Sequence, residues 1–306
     1  MLKAYKYRIY PNKKQQAQIV KTFDCCRFVY NRTLMYRREM YEKCGVFVSR
    51  TDCNNYLNRE LKAKHSWLKE VDKFALTNAV YHMDSAYQNF FKNRSGYPRF
   101  KSRYSEHKSY TTNFTNGNIA IDFEEGRVKL PKLKMVKAVL HRFFKGQIKT
   151  ATISQTPDGK YYVSILAETA HEAIPLSFLR TGVVSLSGDT GVLWDEKECK
   201  SPESLERKER RLEKLQRQLA NKEKGSNNYY KQKRKIALCR ERINNISRDY
   251  CHQVSHEIIS QNQLITLEKR KSAKNSSQTT PAAGIVWYEL ARQLEYKAKW
   301  NGRILL

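Results

Sequence analysis

The first ten residues alternate. Tyr5, Tyr7 and Ile9 fall on one side of an extended segment and Lys6, Arg8 and Tyr10 on the other. That period of two predicts a half-buried strand with a basic, aromatic outer face. Pro11 and Asn12 end it. From about Lys13 to Phe91 the apolar spacing lengthens to that of a helix. Ile19, Phe23, Phe28, Tyr30 and Leu34 form one stripe, and Trp67, Leu68, Val71, Leu76, Val80, Met83, Tyr87 and Phe90 another, with Thr77 and Asn78 on its flank. Gly96-Tyr97-Pro98 breaks this helical region. From about Tyr104 to Thr169 the chain reads as short strands divided by turn chemistry: Asn116-Gly117, Glu125-Gly126 and Pro157-Asp158-Gly159. The last of these joins two β runs, Lys149 to Gln155 and Lys160 to Glu168. Together with the N-terminal strand they are expected to form one barrel, interrupted by the helical insert.

Pro175 marks a linker to a third region, which opens with an apolar strand from Gly182 to Ser187 and a short one at Val192 to Trp194. Ser201-Pro202-Glu203 predicts a helix start, with a hydroxyl cap, a proline in the first turn and an acid near the positive dipole end. Leu212, Leu215 and Leu219, then Ile236, Ile243, Ile246, Tyr250 and Val254, predict two long helices, broken into a hairpin by Gly225-Ser226-Asn227-Asn228. A strand at Leu264 to Glu268, a polar loop at Lys271 to Thr280, a helix from Trp287 to Trp300 and the start of a strand at Ile304-Leu305-Leu306 follow.

Charge changes the picture. The 306 residues carry 58 Lys+Arg against 30 Asp+Glu, a formal net charge of +28. A compact protein pays for such self-repulsion, so an excess of this size points to a polyanionic partner. Between Ser204 and Ile243 alone there are fourteen Lys/Arg against five Glu, too few acids for matched pairs along a solvated coiled coil, which is the alternative reading of the hairpin. With 40% apolar and 11% aromatic residues the sequence is that of an ordered globular protein. No apolar leader opens the chain and no membrane-length apolar run occurs, which argues against secretion or membrane insertion. Seven cysteines (25, 26, 44, 53, 199, 239, 251) with no CxxC pair argue against a disulfide framework or a Cys-rich zinc site and for reduced thiols in a cytoplasm.

Six segments then carry a resemblance. YKYRIYP (Tyr5 to Pro11), RFVYNRTL (Arg27 to Leu34), GYPRFKSR (Gly96 to Arg103), LPKLKMVKAVLHR (Leu130 to Arg142), DGKYYVSIL (Asp158 to Leu166) and RQLEYKAKWNGR (Arg292 to Arg303) resemble TnpB, the transposon-encoded RNA-guided DNA nuclease family related to type V CRISPR effectors. The resemblance implies an α+β multidomain chain. Residues 1–12 and 104–175 would form a wedge β-barrel, residues 13–103 an inserted helical recognition domain, and residues 176–306 a RuvC-like domain of RNase H fold.

In that family three carboxylates hold two Mg²⁺ about 4 Å apart, activating water and stabilising the leaving oxygen. The resemblance places Ser185 at the first Asp, with Asp189 beyond the strand in the turn, and Glu268 at the second acid, followed by Lys269 in place of an Asp. The third Asp and a four-Cys zinc ribbon follow RQLEYKAKWNGR in the family. The expectation is therefore a truncated RuvC-like domain lacking the ribbon, with Glu268 vestigial and no catalytic residue. By resemblance this describes a non-enzymatic, nuclease-dead relative that represses transcription by guide-directed binding beside a short target-adjacent motif. The alternatives are a residual endonuclease using Asp189 and Glu268 or completed in trans, and a transposon remnant acting as an RNA-binding antagonist.

The implied partners are a guide RNA and a target DNA duplex, with no membrane, one chain per RNA, and neither a cofactor nor magnesium needed for binding. The RNA-binding candidates are Lys6, Arg8 and Tyr10 on the outer face of the first strand, Arg27 and Asn31 of RFVYNRTL, and Arg207, Arg211, Lys214, Lys231 and Arg234 of the hairpin. Stacking and phosphate contact suit these residue types, although an ordinary barrel surface would also serve the strand. The helix WLKEVDKFALTNAV (Trp67 to Val80) resembles the family element that touches the adjacent motif. On it Lys73, Phe74 and Thr77 fall on the contact face, with Arg50 and Thr115 in neighbouring segments. Arg50 and Thr77 stand where relatives often have Tyr and Gln. For Phe74, core packing is the competing role. Cys251, His252 and His256 share a helix face but have no fourth ligand near in sequence, so no metal site is expected there.

Overall fold

A computed structural model of the chain describes residues 1–105, 107–170, 181–186, 192–194, 197–199, 202–267 and 281–306. It divides into two units, Met1–Ala170 and His171–Leu306.

In the first unit β1 (Leu2–Tyr10) shows the expected alternation, with Tyr7 and Ile9 buried and Lys6, Arg8 and Tyr10 exposed. Helix α1 (Lys13–Cys44) begins in a reciprocal cap: the Gln15 amide donates to the Asn12 side chain at 2.9 Å, and the Asn12 amide donates to Gln15 Oε1 at 3.0 Å. It ends where Gly45 turns left-handed (φ 66°) and donates to Met40 and Tyr41. Helix α2 (Arg50–Asn55), capped by Ser49, runs into a π turn (Tyr56–Leu61), α3 (Lys62–Lys64) and a 3₁₀ turn (Ser66–Glu70). Asp72 then caps α4 (Lys73–Phe91) by accepting from the Ala75 amide.

The strands β2 (Lys108–Asn113), β3 (Ala120–Asp122), β4 (Arg127–Leu130), β5 (Lys134–Val139), β6 (Gly146–Gln155) and β7 (Tyr161–Thr169) complete an antiparallel sheet ordered β2-β6-β7-β1-β5-β4-β3. The first strand therefore lies mid-sheet, with Ile9 paired to both Ala138 and Tyr161. Residues far apart in sequence share one core: Tyr7, Ile9, Ile153, Val163 and Ile165 from the sheet meet Ile19, Phe23, Leu34, Leu76 and Met83 from the helices. Gln15 ties the start of α1 to that sheet by donating to the carbonyls of Leu133 and Met135, each at 2.9 Å.

The second unit is a five-stranded mixed sheet ordered β10-β9-β8-β11-β12. Its strands are β8 (Thr181–Leu186), β9 (Val192–Trp194), β10 (Lys197–Cys199), β11 (Leu264–Leu267) and β12 (Ile304–Leu305). β8, β11 and β12 are parallel, linked through helices α5 (Glu203–Ala220), α6 (Asn227–Gln261) and α7 (Pro281–Trp300). Continuous apolar runs such as Val183-Val184 and Leu264-Ile265 suit strands covered on both faces. Val184, Trp194, Ile258, Ile265, Leu290 and Leu294 are buried in one cluster.

Two local expectations change. The first residue of α5 is Glu203, with Pro202 and not a hydroxyl residue at the cap position; the expected cap, Ser201, lies outside the described residues. Helix α7 starts at Pro281, six residues before the expected Trp287, because a proline is well placed in a first turn where its missing N–H costs nothing. The loop at Lys271 to Thr280, Asp189 and Glu268 also lie outside the described residues. Among the described residues no helix is long and apolar enough to cross a membrane.

Candidate nucleic-acid interface

Four surfaces collect the candidate residues. On β1 the antiparallel register sets Lys6 beside Ser164, Arg8 beside Tyr162 and Tyr10 beside Lys137. The Lys6 ammonium lies 4.5 Å from the centre of the Tyr162 ring, and the Arg8 guanidinium 4.9 Å from that of Tyr10. Cations alternating with rings across adjacent strands can hold phosphates while leaving ring faces for bases. Tyr162 belongs to this face although nothing local in the sequence marks it; only the long-range register brings it there.

The second surface is the N-terminal half of α4. Lys73, Thr77 and Tyr81 follow one another at four-residue spacing, with Phe74 half-buried beside them. Lys73 sits 4.9 Å over the Phe74 ring, and Arg50, first residue of α2, sits 4.7 Å over Tyr81. Asn78, buried on the flank, donates to the Thr111 carbonyl at 2.8 Å and to Asn113 Oδ1 at 3.1 Å. Asn118 in turn donates to the Asn113 carbonyl and accepts from the Thr115 amide at 2.7 Å. This asparagine relay fixes the turn that carries Thr115 against α4. The structure thus brings together all five residues that sequence reasoning assigned to the adjacent motif, and adds Tyr81, whose i+4 spacing from Thr77 was legible. Lys62 stands nearby: burial first, then repulsion from Lys73 and Lys69, holds its ammonium below the ordinary lysine range.

Arg27 and Asn31 lie one turn apart on α1. Asn31 is committed: its amide donates to the Lys101 carbonyl at 3.0 Å and its oxygen accepts from the Lys101 amide at 2.8 Å. It therefore positions the loop after Pro98. Arg27 makes one long contact, 3.4 Å to Asp24, and its Nε–H is buried without an acceptor.

The hairpin is the fourth surface. Gln232 donates to the Leu215 carbonyl and to Gln218 Oε1, each at 3.0 Å, clamping α5 to α6. Ser226 caps α6. Arg207, Arg211 and Lys214 are exposed at helical spacing on α5, and Lys231 and Arg234 are exposed on the first turns of α6. None of the five has an ion-pair partner among the described residues. Among the four acids on α5, burial first and then crowding by Glu206 and Glu213 raises the carboxyl of Glu209.

The family chemistry needs a metal site, and the acids that the resemblance would assign to it, Asp189 and Glu268, lie outside the described residues. β8 and β11 are parallel neighbours with Val184 opposite Leu267. Their spans, TGVVSL and LITL, contain no carboxylate, and Ser185 sits on β8 at the resembled Asp position. Among the described residues no three His, Cys, Asp or Glu side chains gather to hold a metal.

Comparison with known proteins decides the family. Residues 1–45 match a family model described as "Helix-turn-helix domain" and residues 184–276 one described as "Probable transposase". The chain is 31% identical over 98% of its length, and 79% of the relative's, to "Putative RNA-guided DNA endonuclease InsQ" of Escherichia coli (strain K12). A Streptomyces pristinaespiralis protein of the same designation is 30% identical over 99% of this chain and 76% of its own. The chain belongs to the TnpB family. Its fold resembles that of the protein in "Cryo-EM structure of the Cas12f1-sgRNA-target DNA complex", with a TM-score of 0.57 and 11% identity over 100% of this chain and 88% of that one. For residues 1–45 of this chain the description of the first family model differs from what the structure holds, which is one strand and one unbroken 32-residue helix. The expectation of a non-enzyme is overturned: these two relatives bear the name "Putative RNA-guided DNA endonuclease", and the transposase model runs from within β8 past β11. The Ser185 substitution and the third Asp expected to be missing were too slender a basis for that inference.

Proposed function

We propose that this chain is an RNA-guided DNA endonuclease, gripping a guide RNA through the hairpin and the outer face of β1 and reading a short motif beside its target with the α4 face. The observation that carries the reading is the set of exposed hairpin cations that have no ion-pair partner among the described residues, in a chain of net charge +28 whose relatives are named for guided DNA cutting. Each phosphate neutralised there releases counterions, so binding is strong at low salt and carries no sequence preference of its own. Base pairing to the guide supplies sequence, as heteroduplex shape and the adjacent motif supply register.

In this reading residues 1–12 and 104–175 act as the wedge, 13–103 as the recognition insert and 176–306 as the RuvC-like part. Gripping RNA and duplex needs no bound metal, and chelation leaves it intact. Strand scission falls to the carboxylates that follow the two parallel strands, Asp189 and Glu268, or to a site completed by a second chain. The test is incubation of the protein and its RNA with matched duplex and Mg²⁺. Cut strands are expected, and Glu268→Ala abolishes them while leaving the complex intact. A stable complex that never cuts overturns the scission half; failure to retain matched duplex overturns the whole.

A further inference from the structure

A cavity of about 430 Å³ opens in the first unit between α1 and the loop that runs from Phe100 into β2. Arg27, Lys101, Arg103 and Lys108 line it with the Phe100 ring, against a single described carboxylate, Asp24. Arg27 reaches Asp24 only at 3.4 Å and keeps a buried Nε–H with no acceptor. Among the described residues Lys101, Arg103 and Lys108 have no ion-pair partner. The Lys101 ammonium lies 4.3 Å over the Tyr30 ring, and its burial lowers its proton affinity. A buried donor without a partner costs stability, so an acceptor brought into the cavity would gain from meeting it. The walls are built in advance: Asn31 clamps the Lys101 backbone through two bonds, and Ser102 accepts from the Tyr104 amide at 3.1 Å.

We propose that this cavity is a single-nucleotide pocket for the RNA strand, in which Arg27, Lys101 and Lys108 take one phosphodiester and the base lies on the exposed face of Phe100. The volume falls in the range of small-ligand sites. RNA is favoured over DNA because Ser102, Ser105 and Ser109 bring hydroxyls to the same wall, where a ribose 2′-OH can both donate and accept. The assignment rests on the guide-RNA reading above but concerns residues distinct from the hairpin.

The test uses the full chain and two probes, an oligouridylate and an oligothymidylate of about 20 nucleotides, titrated by fluorescence anisotropy between about 50 and 200 mM salt. Arg27→Gln combined with Lys101→Gln is expected to weaken RNA binding roughly tenfold, the worth of a charge-assisted contact. It also flattens the plot of log affinity against log salt by about 0.7 per phosphate lost. Phe100→Ser weakens RNA binding without changing that slope, since stacking releases no counterions. Lys108→Gln, part-exposed at the start of β2, keeps the fold and lowers the slope, so the test survives if the double variant fails to fold. Unchanged affinity and slope in folded variants would overturn the pocket; so would equal losses with the DNA probe, which contradict the ribose contact. If substituting the hairpin cations weakens RNA binding while the pocket variants do not, the pocket is wrong and the guide-RNA reading stands. If the unaltered chain binds no RNA, that reading fails first.

Discussion

The α4 face is held in place by a buried ion pair, and removing one partner gives a large, measurable effect. Arg37 on α1 donates to Asp84 Oδ1 on α4 at 2.8 Å, with side chains only 7% and 9% exposed. Asp84 Oδ2 accepts from Gln88 at 2.8 Å, and the Arg37 guanidinium is sandwiched 4.6 Å from the Phe47 ring and 4.5 Å from that of Tyr87. Asp84→Ala leaves that guanidinium buried with two rings and no anion. The expected loss is about 3–5 kcal/mol, most of it the cost of an uncompensated charge. For a unit of this size that corresponds to a melting shift of roughly 6–20 °C. Chemical and thermal denaturation followed by circular dichroism measure it. The double replacement Arg37→Met with Asp84→Leu should restore much of the stability, because well-packed apolar groups often replace a buried pair at little cost. A single-variant loss below about 1 kcal/mol, or a double variant as unstable as the single, contradicts the reasoning.

Three further outcomes follow from the structure. Replacing Arg207, Arg211, Lys214, Lys231 and Arg234 by Gln should lower the salt slope of single-stranded RNA binding by about 3.5, so that about a hundredfold of salt sensitivity between 50 and 200 mM disappears; anisotropy titrations measure it. Gly146→Ala should cost about 1–3 kcal/mol in denaturant midpoint, because a Cβ there collides with the Glu168 backbone across the β6–β7 pair. Burial pushes the Cys25 and Cys251 thiols up to about 11, so at pH 8 an alkylating agent should label exposed Cys44 well before them. Both folded-state values are raised, so the stability these thiols contribute is complete below the unfolded value near ~8.5 and is lost as the pH climbs through about 11.

Local chemistry made some of this fold readable in advance. The alternation of β1, the turn at Pro157-Asp158-Gly159 (φ 85° at Gly159) and the break between α5 and α6 at Gly225 (φ 93°) are each written within a few residues. Pairings between distant segments were not. Nothing near Leu2–Tyr10 announces that it lies between β5 and β7, that Arg37 meets Asp84, or that Asn78 is spent on β2. Those contacts depend on loop closures that no short window of sequence encodes. The binding faces were legible as residue types, since cations and rings at helical or strand spacing show up in the chain, while Tyr81 and Tyr162 needed the register to join them. The inference about catalysis went wrong for a different reason: it rested on the chemistry of single positions, whereas family membership rests on the whole chain.

Sequencing the RNA that travels with the protein through purification at moderate salt tests the central claim most directly. Guided recognition predicts one discrete species with a constant scaffold and a variable end, released on raising the salt or on substituting the hairpin cations. No bound RNA, or a random collection of cellular fragments, contradicts it.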